Sequence, residues 1–176
     1  MQRRQMTGTV GRSAELSPCG RYRYQLVRTF AEPMRLRTCT FVMLNPSIAD
    51  GEVDDPTIRR CMGFARAWGF HRLVVANLFA WRATSPRDLY AADDPVGPGN
   101  DTWILQAAAA SERIVCAWGM HGTWRGRGAD VARLLRDAGH RIHHLGLTRD
   151  GEPRHPLYLG GDARPREWRP TKAAHA

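Results

Sequence analysis

Apolar and polar positions along the chain fall into short apolar runs separated by helical stripes. The first clear run, Phe41-Val42-Met43-Leu44, stops at Asn45-Pro46-Ser47 and gives way to an acidic stretch ending in Asp54-Asp55-Pro56. A run of that length with β-branched and aromatic members predicts a buried strand over 38–44, and Asn-Pro starts a turn. Asp55-Pro56 then reads as an N-cap followed by proline at the first helical position. Beyond it Ile58, Cys61, Met62, Ala65 and Trp68 share one face of a helix that Gly69 stops. The same alternation recurs. A strand over 73–76 ends at Asn77; Ser85-Pro86-Arg87-Asp88 opens a helix soon broken by Pro95 and Gly97; an alanine-rich helix covers 100–110. A third strand over 113–118 ends in Gly119-Met120-His121-Gly122, and a helix over 129–138 carries Val131, Leu134 and Leu135 on one face. A fourth strand covers 142–145.

Four strand-to-helix alternations imply an α/β fold with a parallel sheet of four strands between helices. The front of the chain follows another rule. Tyr22, Tyr24, Leu26 and Arg28 alternate with Arg21, Arg23, Gln25 and Val27, the period of an edge strand in a short antiparallel hairpin. A short strand near 14–16 and a turn at Ser17-Pro18-Cys19-Gly20 complete that accessory piece. The expected organisation is a partly irregular arm over 1–20, a single α/β domain over 21–168 and a disordered tail over 169–176. A length of 176 residues suits one domain with a proper core.

A parallel sheet has a consequence for chemistry. Asn45, Asn77, His121 and the loop carrying His155 would all follow the carboxyl ends of strands, where α/β folds bind ligands. Asn45 either orients a water or a base edge through its amide, or closes a turn on its own backbone. Asn77 ends an apolar strand and needs partners, from a ligand edge or a neighbouring loop. His155 can donate to a developing oxyanion or act as acid or base, against the alternative of a surface histidine. Asp55 is explained as a helix cap and Asp50 as a turn residue, although with Asp54 they are the candidate metal ligands or bases. His143 and His144 point to opposite faces of a strand, which argues against a joint metal site. The glycines flanking Met120-His121 either admit a ligand close to the backbone or form a plain turn.

Composition changes this picture in one respect. The chain has 26 basic and 17 acidic residues, a net charge of +9 and a pI near 10.4. That surplus suits a polyanion such as nucleic acid, although Lys172 is the only lysine and an arginine bias equally fits a GC-rich genome. Cys19, Cys39, Cys61 and Cys116 show no ligand spacing and read as reduced thiols, three of them in apolar stretches. No apolar core of a signal peptide and no membrane-length run is present, so a cytoplasmic protein is expected. Phosphate-loop, GxGxxG, GxSxG and HExxH motifs are absent, and neither a cofactor nor a metal is expected. Nothing in the sequence signals an oligomeric state.

Five separated segments carry a resemblance: LNPSIADGEVDDPTIRRC, VVANLFAWRATSP, DPVGPGND, AWGMHG and LGLTRDGEPRHPLYL. In that order they resemble a bacterial and phage family catalogued as domain of unknown function 1643, over roughly 21–168. A more distant likeness is to the uracil-DNA glycosylase superfamily, whose fold is a parallel four-stranded sheet between helices, a three-layer sandwich. Met43-Leu44-Asn45-Pro46 is similar to its first motif, where an Asp or Asn positions the attacking water. His155-Pro156-Leu157-Tyr158-Leu159 resembles the second, on the loop that enters the DNA minor groove, and Asn77 resembles the strand-end Asn that reads the base edge. Met43 stands where that motif has glycine. Ser47 stands where some members carry a tyrosine that excludes the thymine methyl, so a 5-substituted pyrimidine would fit. The cysteines lack the spacing of the iron-sulfur cluster found in some members.

The resemblance implies an N-glycosidase acting on DNA or a related nucleotide. Asn45 and His155 would be catalytic; Pro46, Ser47, Asn77, Gly119 and His121 would line the substrate site; Arg149 and Arg154 would hold phosphates while Leu157 or Tyr158 wedges into the base stack. A non-catalytic nucleic-acid- or nucleotide-binding module of the same fold is the alternative. A metal-dependent nuclease or phosphoesterase using Asp50, Asp54 and His121 is a third reading.

Overall fold

The computed structural model describes residues 9–47 and 52–170. Its centre is a run of strands whose residues are buried on both faces, as the near-continuous apolar sequences require. The chain enters through β1 (Gly11–Leu16) and β2 (Arg23–Thr29), then β3 (Thr38–Met43), α1 (Pro56–Ala67) and β4 (Arg72–Asn77). Next come α2 (Pro86–Tyr90), α3 (Asn100–Ala109), β5 (Arg113–Cys116), α4 (Arg127–Asp137), β6 (Ile142–His144) and β7 (Arg166–Glu167). They form one seven-stranded sheet in the order β1-β2-β4-β3-β5-β6-β7. The four central strands β4, β3, β5 and β6 run parallel, and both ends are antiparallel.

The four parallel strands expected are the centre of a larger sheet of seven, in which the expected front hairpin and an unexpected β7 add three antiparallel strands. The front hairpin is no accessory: β2 pairs with β1 on one side and β4 on the other, from Leu26 opposite Val75 to Thr29 opposite Arg72. Its alternation suggested an exposed edge, yet Tyr24, Leu26 and Arg28 on one face and Arg23 and Thr29 on the other are all buried. The Arg28 guanidinium is accommodated by Asp54 at 2.7 Å, which Arg12 of β1 also meets at 3.1 Å. β7 lies in the Arg/Pro-rich stretch, which carries no strand signal. Its residues, exposed, pair with His143 and His144 through the backbone, and Trp168 just after it is buried.

Helices cover both faces. α3 and α4 pack Ile104, Ala107, Val131 and Leu135 against Val42, Val74 and Ile114. α1 packs Ile58, Cys61, Met62 and Ala65 against Phe41, Val75 and Val115 on the opposite face. Cap chemistry sets where α1 begins: Asp55 accepts from Ile58 N at 2.8 Å and Pro56 occupies the first turn. No helix among the described residues is long and apolar enough to cross a membrane. The last part of the expected tail, 171–176, lies outside the described residues, as does Asp50.

Candidate functional site

β3 is the strand from which the crossovers diverge, since β4 lies on one side of it and β5 on the other. Such a switch point leaves a crevice at the carboxyl ends. Here it is a cavity of ≈ 400 Å³ whose wall takes in Asn45 after β3, Asn77 at the end of β4, Gly119 and His121 after β5, and His155. The polar groups that follow separate strands in sequence are thereby brought to one place.

Asn45 is held by its nitrogen. Its Nδ2 donates to the carbonyl of Ala83 at 2.9 Å and to that of Pro46 at 3.1 Å, while Ala83 N donates back to Pro46 O at 3.0 Å. Carbonyls only accept, so the amide cannot be turned the other way, and Oδ1 remains as an acceptor with no donor among the described residues. Asn77 presents the converse. It is 1% exposed, lines the cavity, and its Nδ2 is buried without a hydrogen-bond partner. An unpaired buried donor costs about 1–3 kcal/mol, a cost a ligand acceptor would remove.

His155 caps the 3-10 turn Pro156–Tyr158: its Nδ1 accepts from Leu157 N at 3.3 Å, which puts the proton of the neutral ring on Nε2. Burial lowers its pKa, with Asp55 opposing, so the neutral form is favoured. The loop that carries it is tied to β5. Trp118 Nε1 donates to Glu152 Oε2 at 2.6 Å and Gly119 N to Pro153 O at 2.8 Å. Gly119 has φ +75, and a Cβ there would lie 3.7 Å from that of His155. Gly122 serves another purpose: a Cβ on it would lie 2.0 Å from the Trp118 ring. That glycine leaves room for the indole. His121 Nδ1 lies 2.6 Å from the Tyr90 hydroxyl.

With that geometry in view, comparison with known families is informative. The family described as "Protein of unknown function (DUF1643)" matches residues 23–157. The chain belongs to the DUF1643 family. No curated protein and no solved structure matches it significantly.

The DUF1643 match begins at Arg23 and runs through His155, so it spans each cavity residue named so far. The remaining expected residues are placed unevenly. Ser47 lines the cavity and donates to Asp55 Oδ2 at 2.7 Å, whereas Pro46 is buried beside it and does not line it. Tyr158 lines the mouth and is 74% exposed; Leu157, 47% exposed, is not in the wall. Arg149 and Arg154 also stand outside the wall, and Arg154 donates to Tyr158 O at 3.2 Å. Asp54, committed to Arg12 and Arg28, does not line the cavity. Among the described residues no three His, Cys, Asp or Glu side chains are grouped for a metal.

Arg23 was not expected here. It is 2% exposed and lines the cavity because antiparallel β2 starts where parallel β4 ends, with Arg23 N bonded to Ala80 O at 2.9 Å. Period-two alternation shows which face a strand residue takes but not which end of the sheet it reaches. Only a strand running against its neighbours brings its first residue to their last.

Proposed function

We propose that this DUF1643 chain is an N-glycosidase of the uracil-DNA glycosylase type, hydrolysing the bond between a base and C1′ of its sugar in DNA or a related nucleotide. The observation that carries this reading is one cavity that pairs a fixed acceptor, Asn45 Oδ1, with the unpartnered donor Asn77 Nδ2. The parallel four-stranded centre between helices is in keeping with it. A flipped base enters at an unstacking cost of a few kcal/mol, and Asn77 donates to its edge. Asn45 Oδ1 accepts from a water and holds it against C1′. Because an amide does not take up a proton, bond breaking leads. The N-glycosidic pair leaves on the base, His155 Nε2–H donates to the resulting anion, the water oxygen adds to the oxocarbenium carbon, and the water proton ends on the base. Ser47 leaves space for a 5-substituted pyrimidine, Arg149 and Arg154 take phosphates, and Leu157 with Tyr158 meets the flanking stack.

Base release from single- and double-stranded oligonucleotides carrying uracil, mismatched and 5-modified pyrimidines tests the reading. Wild type is expected to release free base, with Asn45→Ala and His155→Ala each slower by about 100-fold or more. Release unchanged in His155→Ala would sink the assignment. One observation favours a second reading, a non-catalytic binding module: the Asn45 nitrogen is built into the clamp between two loops. Oligonucleotides that bind and shift without any base release would select it.

A further inference from the structure

The reaction above leaves one charged group of the cavity without a part. Asp55 begins α1 as its N-cap, and it also lines the cavity, the one carboxylate residue of the wall among the described residues. Capping takes little of it. Oδ1 accepts from Ile58 N at 2.8 Å and Oδ2 from the Ser47 hydroxyl at 2.7 Å, whereas an ionised carboxylate offers about four acceptor sites. Its neighbour Asp54 is neutralised by Arg12 and Arg28, but no ion pair among the described residues includes Asp55. A half-buried carboxylate with no cation against it keeps its acceptor capacity for the cavity.

Ser47 sets where that carboxylate stands. It belongs to the same turn after β3 as Asn45, so its hydrogen bond fastens the start of α1 to the turn that carries the fixed acceptor Asn45 Oδ1. A water that donates one proton to each of these acceptors keeps an oxygen lone pair for a carbon in the cavity. Only one of the two can then take the proton, because an amide does not. His155 is already committed: Nδ1 accepts from Leu157 N, and the proton of its neutral ring is on Nε2. Asp55 is near enough to act on that ring, whose pKa it holds up against the effect of burial.

We propose that Asp55 is the general base of this site, taking a proton from the water that Asn45 orients. The inference rests on reading the cavity as that of an N-glycosidase. The glycosidic electron pair leaves on the base, the water oxygen bonds to C1′, and one water proton passes to the Asp55 carboxylate. The carboxylic acid then gives that proton to the base anion and is a carboxylate again. His155 keeps its own proton and only donates a hydrogen bond to the anion. Before the water adds, the negative charge of Asp55 also stabilises the oxocarbenium carbon. Cap and base are compatible because they use different lone pairs of one group.

Asp55→Asn separates the base from the cap. Asparagine and serine cap a helix about as well as aspartate, so α1 keeps its start, whereas neither takes up a proton. Single-turnover release of free base from the same oligonucleotides is expected to slow by about 100-fold or more in both Asp55→Asn and Asp55→Ser. Oligonucleotide affinity and the urea midpoint are expected to stay at the wild-type values. The fall in rate that wild type shows in acid is expected to be absent from Asp55→Asn. Arg23, His121 and His155, the other charged or titratable groups of the wall besides Tyr158, are common to both proteins, so the difference reports Asp55. Release by Asp55→Asn at the wild-type rate, an acid fall that persists in it, or a slowing matched by a lower urea midpoint overturns the proposal and leaves the glycosidase reading standing. Wild type that releases no base from any oligonucleotide removes that reading and this assignment with it.

Discussion

At the scale of single residues, the cavity is marked by groups whose needs the protein leaves unmet. Asn77 has a buried donor without a partner, and folding bears that cost for something other than stability. Replacing it with leucine removes the donor at similar volume. Asn77→Leu is expected to unfold at a higher urea concentration, by about 1 kcal/mol in stability, while losing affinity for whatever the cavity binds. A lower midpoint would mean that the amide is a structural group. Gly122 has the opposite character. An added methyl would meet the Trp118 ring, which is 1% exposed and fixed by Glu152, so the indole cannot yield. Gly122→Ala is expected to lower stability by about 1–3 kcal/mol, measured by urea denaturation.

Among the elements, β6 carries a histidine whose titration is coupled to folding. His143 and His144 face opposite ways, which argues against a joint metal site. His143 is locked between strands, with Nδ1 3.1 Å from Ile114 O and Nε2 2.9 Å from Arg113 Nη1. A carbonyl needs a donor and a guanidinium needs an acceptor, so the ring is neutral with its proton on Nδ1. Burial, seconded by Arg113, lowers its pKa below the ordinary 6.5. The unfolded chain therefore binds more protons between the two values. The stabilisation is complete above about pH 6.5 and is lost as the pH falls through the folded value. Urea midpoints taken from about pH 8 down to about pH 5 are expected to fall, and His143→Gln to flatten the fall. A midpoint of wild type that stays level would refute this assignment.

For the molecule as a whole, the charge surplus divides into structural and available parts. Arg28 meets Asp54, Arg127 meets Asp101 at 2.5 Å and the carbonyl of Leu78, and Arg66 and Arg136 stand in the last turns of α1 and α4 beside their carbonyl ends. These arginines hold the fold. Arg125, Arg149 and Arg154 are among the exposed arginines, with Arg21, Arg87, Arg141 and Arg164, that make no ion pair among the described residues and so are open to an outside anion. If nucleic acid is that anion, its affinity is expected to drop by about tenfold or more between about 50 and 200 mM salt, with a shallower slope in Arg149→Gln/Arg154→Gln. An affinity indifferent to salt would exclude phosphate contacts as the source of binding.

What the sequence by itself determined is local. Apolar runs located the four parallel strands, Asp55-Pro56 and Ser85-Pro86 located two helix starts, and the resemblance of five segments located the family, because each of these signals is complete within a few neighbouring residues. It also named Asn45, Asn77, His121 and His155, since a parallel sheet alone sends its strand ends to one edge. The tertiary structure decided the rest. That the front hairpin joins the main sheet, that Arg23 reaches the cavity, that β7 closes the far end and that Tyr90 meets His121 all depend on pairings between distant segments. A strand's own pattern states which face is buried. It does not state which neighbour it will pair with, in which direction, or what its ends will then meet.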